Sequence, residues 1–107
     1  MDSWRDVAPL AEFPPGTVRQ LDFPDGTPVA VFHIGERFFA IEDVCSHEAE
    51  TLSYGKVEGE EVVCPLHGAR FSLATGAAVG PPAYEPVATF LVRIEAGMVQ
   101  VDASGHD

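Results

Sequence analysis

The chain has 107 residues, 46% of them hydrophobic, enough for one compact domain and too few for two cores. Seventeen acids against six bases give a formal net charge of −11, which excludes a nucleic-acid surface built from clustered Lys and Arg. The opening "MDSWRDVAPL" has no basic start before an apolar block, and no apolar run approaches the roughly 20 residues of a membrane helix, so the expected location is the cytoplasm.

The segments "TVRQLDF" (17–23), "PVAVFHI" (28–34) and "RFFAIE" (37–42) are short runs rich in Val, Ile and Phe, and read as strands. "PDGT" (24–27) carries the Asp-Gly of a tight hairpin turn, and "GE" (35–36) joins the next pair. A short helical turn fits around 48–52, and no longer stretch holds a helical period. "EEVVC" and "RFSLATG" read as further short strands. "TFLVRIE" (89–95), "AG" and "MVQVD" (98–102) make a last hairpin, with Phe90, Val92 and Ile94 expected on the buried face and Thr89, Leu91 and Arg93 on the other. The tail "ASGHD" is expected to fray. This is an all-β pattern in a single domain, 1–107, with strands on either side of a looser section from about 43 to 86.

That section holds the chain's two cysteines, each beside a histidine: "CSH" (45–47) and "CPLHG" (64–68). Cys45, His47, Cys64 and His67 form the pattern C-x-H-x16-C-x2-H. In a reducing cytoplasm two cysteines serve metal or catalysis more often than a disulfide. Thiolate with imidazole suits zinc or iron–sulfur chemistry. A zinc knuckle places two to four residues between its first ligands, whereas only Ser46 separates Cys45 from His47. In extended chain such residues point to one side but stand roughly 6–7 Å apart, awkward for one ion and easier for two neighbouring ions. Two loops that each give Cys to one iron and His to the other would clamp a [2Fe–2S] cluster. A redox-inert zinc fold stays open at this point.

"CSH" followed by "CPLHGARF" resembles a Rieske-type ferredoxin, the ferredoxin component of ring-hydroxylating oxygenase systems. The likeness runs from about Trp4 to Asp102 and includes "LSYGKVEGEEVVCPLHG" (52–68), the "ATG" turn (74–76) and "GPPAYEP" (80–86), which is similar to the family's proline loop. It implies an antiparallel β-sandwich with an inserted cluster-binding subdomain. It implies one [2Fe–2S] cluster with Cys45 and Cys64 on the inner iron and His47 and His67 on the outer, more exposed one, Pro81 and Pro82 shielding it. Two ferric ions, two sulfides and two thiolates leave that core neutral, whereas four thiolates would leave it doubly negative, so the histidines raise the potential. High-potential members carry an extra cysteine in each loop, joined as a disulfide; the matching places here are Glu50 and Leu66. They also carry a Ser and a Tyr whose hydroxyls donate to cluster sulfur; here Ala69 and Phe71 stand instead. The expected potential is therefore at the low end of the Rieske range, about −150 mV.

Gly68 is expected to free the backbone for a tight turn beside the site. His33, in a strand, and His106, in the tail, are expected to face solvent. Seven acids lie between 42 and 61 (Glu42, Asp43, Glu48, Glu50, Glu58, Glu60 and Glu61) against one base, Lys56, as solvated loops or as a docking face. No nucleophile–base pair, phosphate loop or flavin signature is visible, so an electron carrier rather than an enzyme is expected. The resemblance implies a monomeric one-electron carrier between a flavin-containing NAD(P)H reductase and a terminal non-haem iron oxygenase. The alternatives are a Rieske small subunit of a larger enzyme such as an assimilatory nitrite reductase, or a ferredoxin linked to iron–sulfur assembly.

Overall fold

The computed structural model describes residues 3–46, 50–65, 68–80 and 85–104. Among them the strands are, in chain order, β1 (Trp4–Pro9), β2 (Thr17–Asp22), β3 (Pro28–Ile34), β4 (Arg37–Glu42), β5 (Lys56–Glu58), β6 (Glu61–Val63), β7 (Arg70–Ser72), β8 (Ala78–Gly80), β9 (Thr89–Phe90), β10 (Val92–Glu95) and β11 (Met98–Asp102). Two 3-10 turns, Leu10–Glu12 and Leu52–Tyr54, are the helical pieces among the described residues, and no helix is long and apolar enough to cross a membrane. The strands pair antiparallel in three sheets, ordered β1-β11-β10, β2-β3-β4-β9 and β5-β6-β7-β8. The all-β antiparallel fold expected from the sequence is the fold observed.

The sheet β2-β3-β4-β9 is central and packed on both faces, which explains why "PVAVFHI" and "RFFAIE" read as nearly continuous apolar runs. On β3, Val29 and Val31 join Ala40, Val99 and Val101 in the core shared with β1-β11-β10, the sandwich proper. Ala30 and Phe32 point the other way and join Phe39, Ile41, Val62, Phe71 and Leu73 in a second core beneath the third sheet. Alternation along one strand therefore feeds two cores. The third sheet is built by the chain that leaves β4 and returns at β9, and β4 and β9 are themselves neighbours through Ala40↔Phe90 and Ile41↔Thr89.

His33 corrects its expectation. It is 8% exposed, on the same face of β3 as Val29 and Val31. Its ring stacks on Phe38 at 3.9 Å between centroids, and its Nδ1–H donates to the Phe13 carbonyl at 2.7 Å. A polar ring on an interior strand has no water to reach, so it finds an aromatic partner and a backbone acceptor. His106 lies outside the described residues.

The hairpins at 24–27, 35–36 and 96–97 form as expected. The last one differs inside. "TFLVRIE" divides at Leu91, with β9 in the central sheet and β10 in the outer sheet. Leu91 is 58% exposed, and its carbonyl accepts the Asp102 N–H at 2.9 Å. Because the strand changes sheets, the expected alternation fails at both ends: Thr89 is buried and Ile94 is 47% exposed. A 3-10 turn lies at Leu52–Tyr54, later than the helical turn expected around 48–52: Glu50 and Thr51 are not helical, and residues 47–49 lie outside the described residues.

Candidate metal centre

Two loops of equal span rise from the second core. One follows β4 and starts at Cys45; the other follows β6 directly and starts at Cys64. The Cys45 N–H donates to the Glu50 carbonyl at 2.7 Å, and the Cys64 N–H donates to the Ala69 carbonyl at 2.7 Å. Each cysteine thus closes a six-residue loop on itself. In the second loop the Gly68 N–H also returns to the Cys64 carbonyl at 3.1 Å, with Gly68 at φ +76°, a left-handed conformation that side chains disfavour. Among the described residues nothing crowds a Cβ there, so the backbone angle is what calls for glycine.

Both cysteines are 1% exposed and share one core with Leu52, Val62, Ala69 and Phe71. Both are thiols rather than a disulfide. Two soft donors on matching loops, floored by apolar side chains, fit the deep half of an iron–sulfur site, where the metal supplies the charge balance that buried thiolates require. Glu50, at the place of the high-potential members' cysteine, closes the first loop with its carbonyl and caps the Thr51 N–H with its carboxylate at 3.0 Å. Ala69 and Phe71 are fully buried in the same core and carry no hydroxyl. His47, His67, Leu66, Pro81 and Pro82 lie outside the described residues. The described part of the "GPPAYEP" stretch reaches the first loop where the Ser46 hydroxyl donates to the Glu85 carbonyl at 2.7 Å.

The acids near the loops divide on inspection. Glu58 and Glu61 flank Arg70, at 2.7 and 3.5 Å, and Glu60 meets Arg37 at 3.0 Å. The hydrogen bond and charge of Glu58 hold the Arg70 guanidinium above its ordinary range, with Glu61 adding to it. Asp43 is neither a solvated loop acid nor part of a docking face. It is 4% exposed and accepts from the Ser53 N–H at 2.7 Å and the Ser53 hydroxyl at 2.6 Å. No hydropathy signal marks Asp43 or Ser53 as partners, because ten residues and a ligand loop separate them.

Known proteins resemble the chain over most of its length. The Rieske [2Fe-2S] domain profile matches residues 3–91. Ferredoxin CarAc of Metapseudomonas resinovorans is 35% identical over 98 residues, 92% of each chain. The 3-phenylpropionate/cinnamic acid dioxygenase ferredoxin subunit of Shigella flexneri is 39% identical over 97 residues, 90% of each chain. A solved complex of reduced oxygenase and oxidised ferredoxin in carbazole 1,9a-dioxygenase contains a chain that superposes with a TM-score of 0.89 at 33% identity, covering 95% of this chain and 94% of that one. Paired cysteine loops on a three-sheet β fold and a family match over most of the length converge: this chain belongs to the Rieske [2Fe–2S] domain family, and its cofactor is a [2Fe–2S] cluster.

Proposed function

We propose that this protein is the ferredoxin of a ring-hydroxylating oxygenase system, carrying single electrons from a flavin-containing NAD(P)H reductase to a terminal non-haem iron oxygenase of the aromatic-ring dioxygenase type. The observation that carries the proposal is the pair of buried cysteine loops in a chain whose ferredoxin relatives match it over nine-tenths of both lengths. That match favours a separate carrier over a fixed subunit of a larger enzyme. We place the carrier in the cytoplasm as a monomer.

Cys45 and Cys64 would hold the inner iron, and His47 and His67 the outer one. When bound, the cluster takes up and gives up one electron. Leu52, Val62, Ala69 and Phe71 keep water from the thiolate side. The histidine side is then the face through which a partner exchanges the electron. Ala69 and Phe71 would offer the cluster no side-chain hydroxyl, which supports a potential at the low end of the Rieske range, about −150 mV.

The test joins the purified protein to an NADH-dependent flavin reductase and an aromatic-ring dioxygenase with its substrate. The proposal predicts reduction by the first, reoxidation by the second with dihydroxylated product, and a midpoint potential in the low Rieske range. A potential above about +100 mV, within the same family range, would contradict it. Elution of the protein from a lysate only as part of a large enzyme would favour the fixed-subunit reading instead.

A further inference from the structure

The two ligand loops are held at their mouths in different ways. The second runs from β6 into β7, and these strands pair across its mouth at Val63↔Arg70, so a sheet ladder fixes both ends. The first leaves β4 in the central sheet and continues to the Leu52–Tyr54 turn and β5 in the third sheet. β4 and β5 belong to different sheets and share no ladder.

A side chain spans that mouth instead. Asp43, two residues before Cys45, takes the Ser53 N–H on Oδ1 at 2.7 Å and the Ser53 hydroxyl on Oδ2 at 2.6 Å. Its own N–H donates to the Pro28 carbonyl at 2.9 Å, tying it to β3. Gln20 on β2 donates from Nε2 to the same Ser53 hydroxyl oxygen at 2.6 Å. Ser53 directly follows Leu52, which is fully buried against the core that holds both cysteines. A carboxylate that uses both oxygens on one residue fixes orientation as well as distance. At 4% exposure Asp43 keeps that geometry with little competition from water.

We propose that Asp43 is the positioning residue of the first ligand loop. Its carboxylate does for residues 43 and 53 what the β6–β7 ladder does for the second loop, and so keeps Cys45 in register with Cys64. It touches no ligand atom and acts through the loop. The inference rests on the assignment of Cys45 and His47 as ligands.

The experiment compares anaerobically purified wild type, Asp43→Ala, Asp43→Asn and Ser53→Ala. Three properties are read: the bleaching rate in excess EDTA, the EPR line shape of the reduced protein, and the urea unfolding midpoint. Asn keeps an oxygen for the Ser53 N–H and offers an N–H to the Ser53 hydroxyl oxygen. The expected result is bleaching about ten-fold to 100-fold faster in Asp43→Ala, as for other residues that orient metal ligands, with broadened EPR lines. Ser53→Ala, which keeps one of the two bonds, falls between, and Asp43→Asn stays close to wild type. Rescue by Asn and the EPR change separate positioning from general destabilisation, which the urea midpoint alone reports. If Asp43→Ala does not fold, Ser53→Ala decides. Wild-type bleaching and line shape in Ser53→Ala, or Asn behaving like Ala, overturns the inference while the ligand assignment stands. Wild type that binds no iron overturns both.

Discussion

Each candidate ligand cysteine donates its own amide to a carbonyl five residues on and is buried in the core that holds Leu52, Val62 and Phe71. Replacing such a sulfur with a hard, poorly ionising hydroxyl removes the donor and leaves the loop intact. Cys64→Ser is therefore predicted to fold without visible absorbance or iron, and His67→Ala to lose the cluster or leave a bleached, unstable protein. An unchanged spectrum in either variant would contradict the ligand assignment. The candidate ligands stand out in the sequence because ligand chemistry is local: Cys and His stand one or two residues apart in each loop. Asp43 and His33 do not. Asp43 is one of seven acids in a polar stretch, and only its burial and its bonds to Ser53 in the folded chain distinguish it. His33 is buried because β3 is covered on both faces, a fact of the assembled sheets and not of its neighbours in the chain.

The elements that hold the loops depend on a few close backbone approaches. Gly76 donates its N–H to the Ser72 carbonyl at 2.7 Å and accepts from the Val87 N–H at 2.9 Å, joining the β7–β8 hairpin to the chain returning toward β9. It has φ +79°, and a Cβ placed on it would lie 2.1 Å from the Val87 carbonyl oxygen. Gly76→Ala is predicted to destabilise by about 2–4 kcal/mol, a left-handed penalty plus overpacking against a backbone that cannot step aside. Urea unfolding of the iron-loaded protein measures it, and a loss under about 1 kcal/mol would show that this backbone yields more easily than overpacked sites do. Sequence patterning located the hairpins well because their turns are local. β1 escaped it, since Trp4 pairs with Asp102 at the other end of the chain and its burial does not alternate cleanly. β5 escaped it because its three residues are all exposed and it exists as a partner for β6. The break at Leu91 escaped it because both halves look like one strand until each joins a different sheet.

At the scale of the molecule, two cores share one central sheet, so the sandwich serves as a rigid base for the loop-bearing sheet. Arg37 spans that join: it leaves β4, lies over the Phe39 ring at 4.8 Å and reaches Glu60 between β5 and β6. Such exposed pairs add little stability. They do consume part of the acidity around the loops, so the net charge of −11 speaks to long-range steering more than to a uniform docking face. The central claim is that one iron is held by buried thiolates and the other by imidazoles. Iron and acid-labile sulfide analysis of anaerobically purified protein, combined with EPR and nitrogen hyperfine spectroscopy of the reduced form, tests it most directly. The account predicts two irons and two sulfides per chain, as a [2Fe–2S] cluster requires, with coupling to two histidine nitrogens. A colourless zinc protein, or an iron–sulfur signal with no nitrogen coupling, would contradict it.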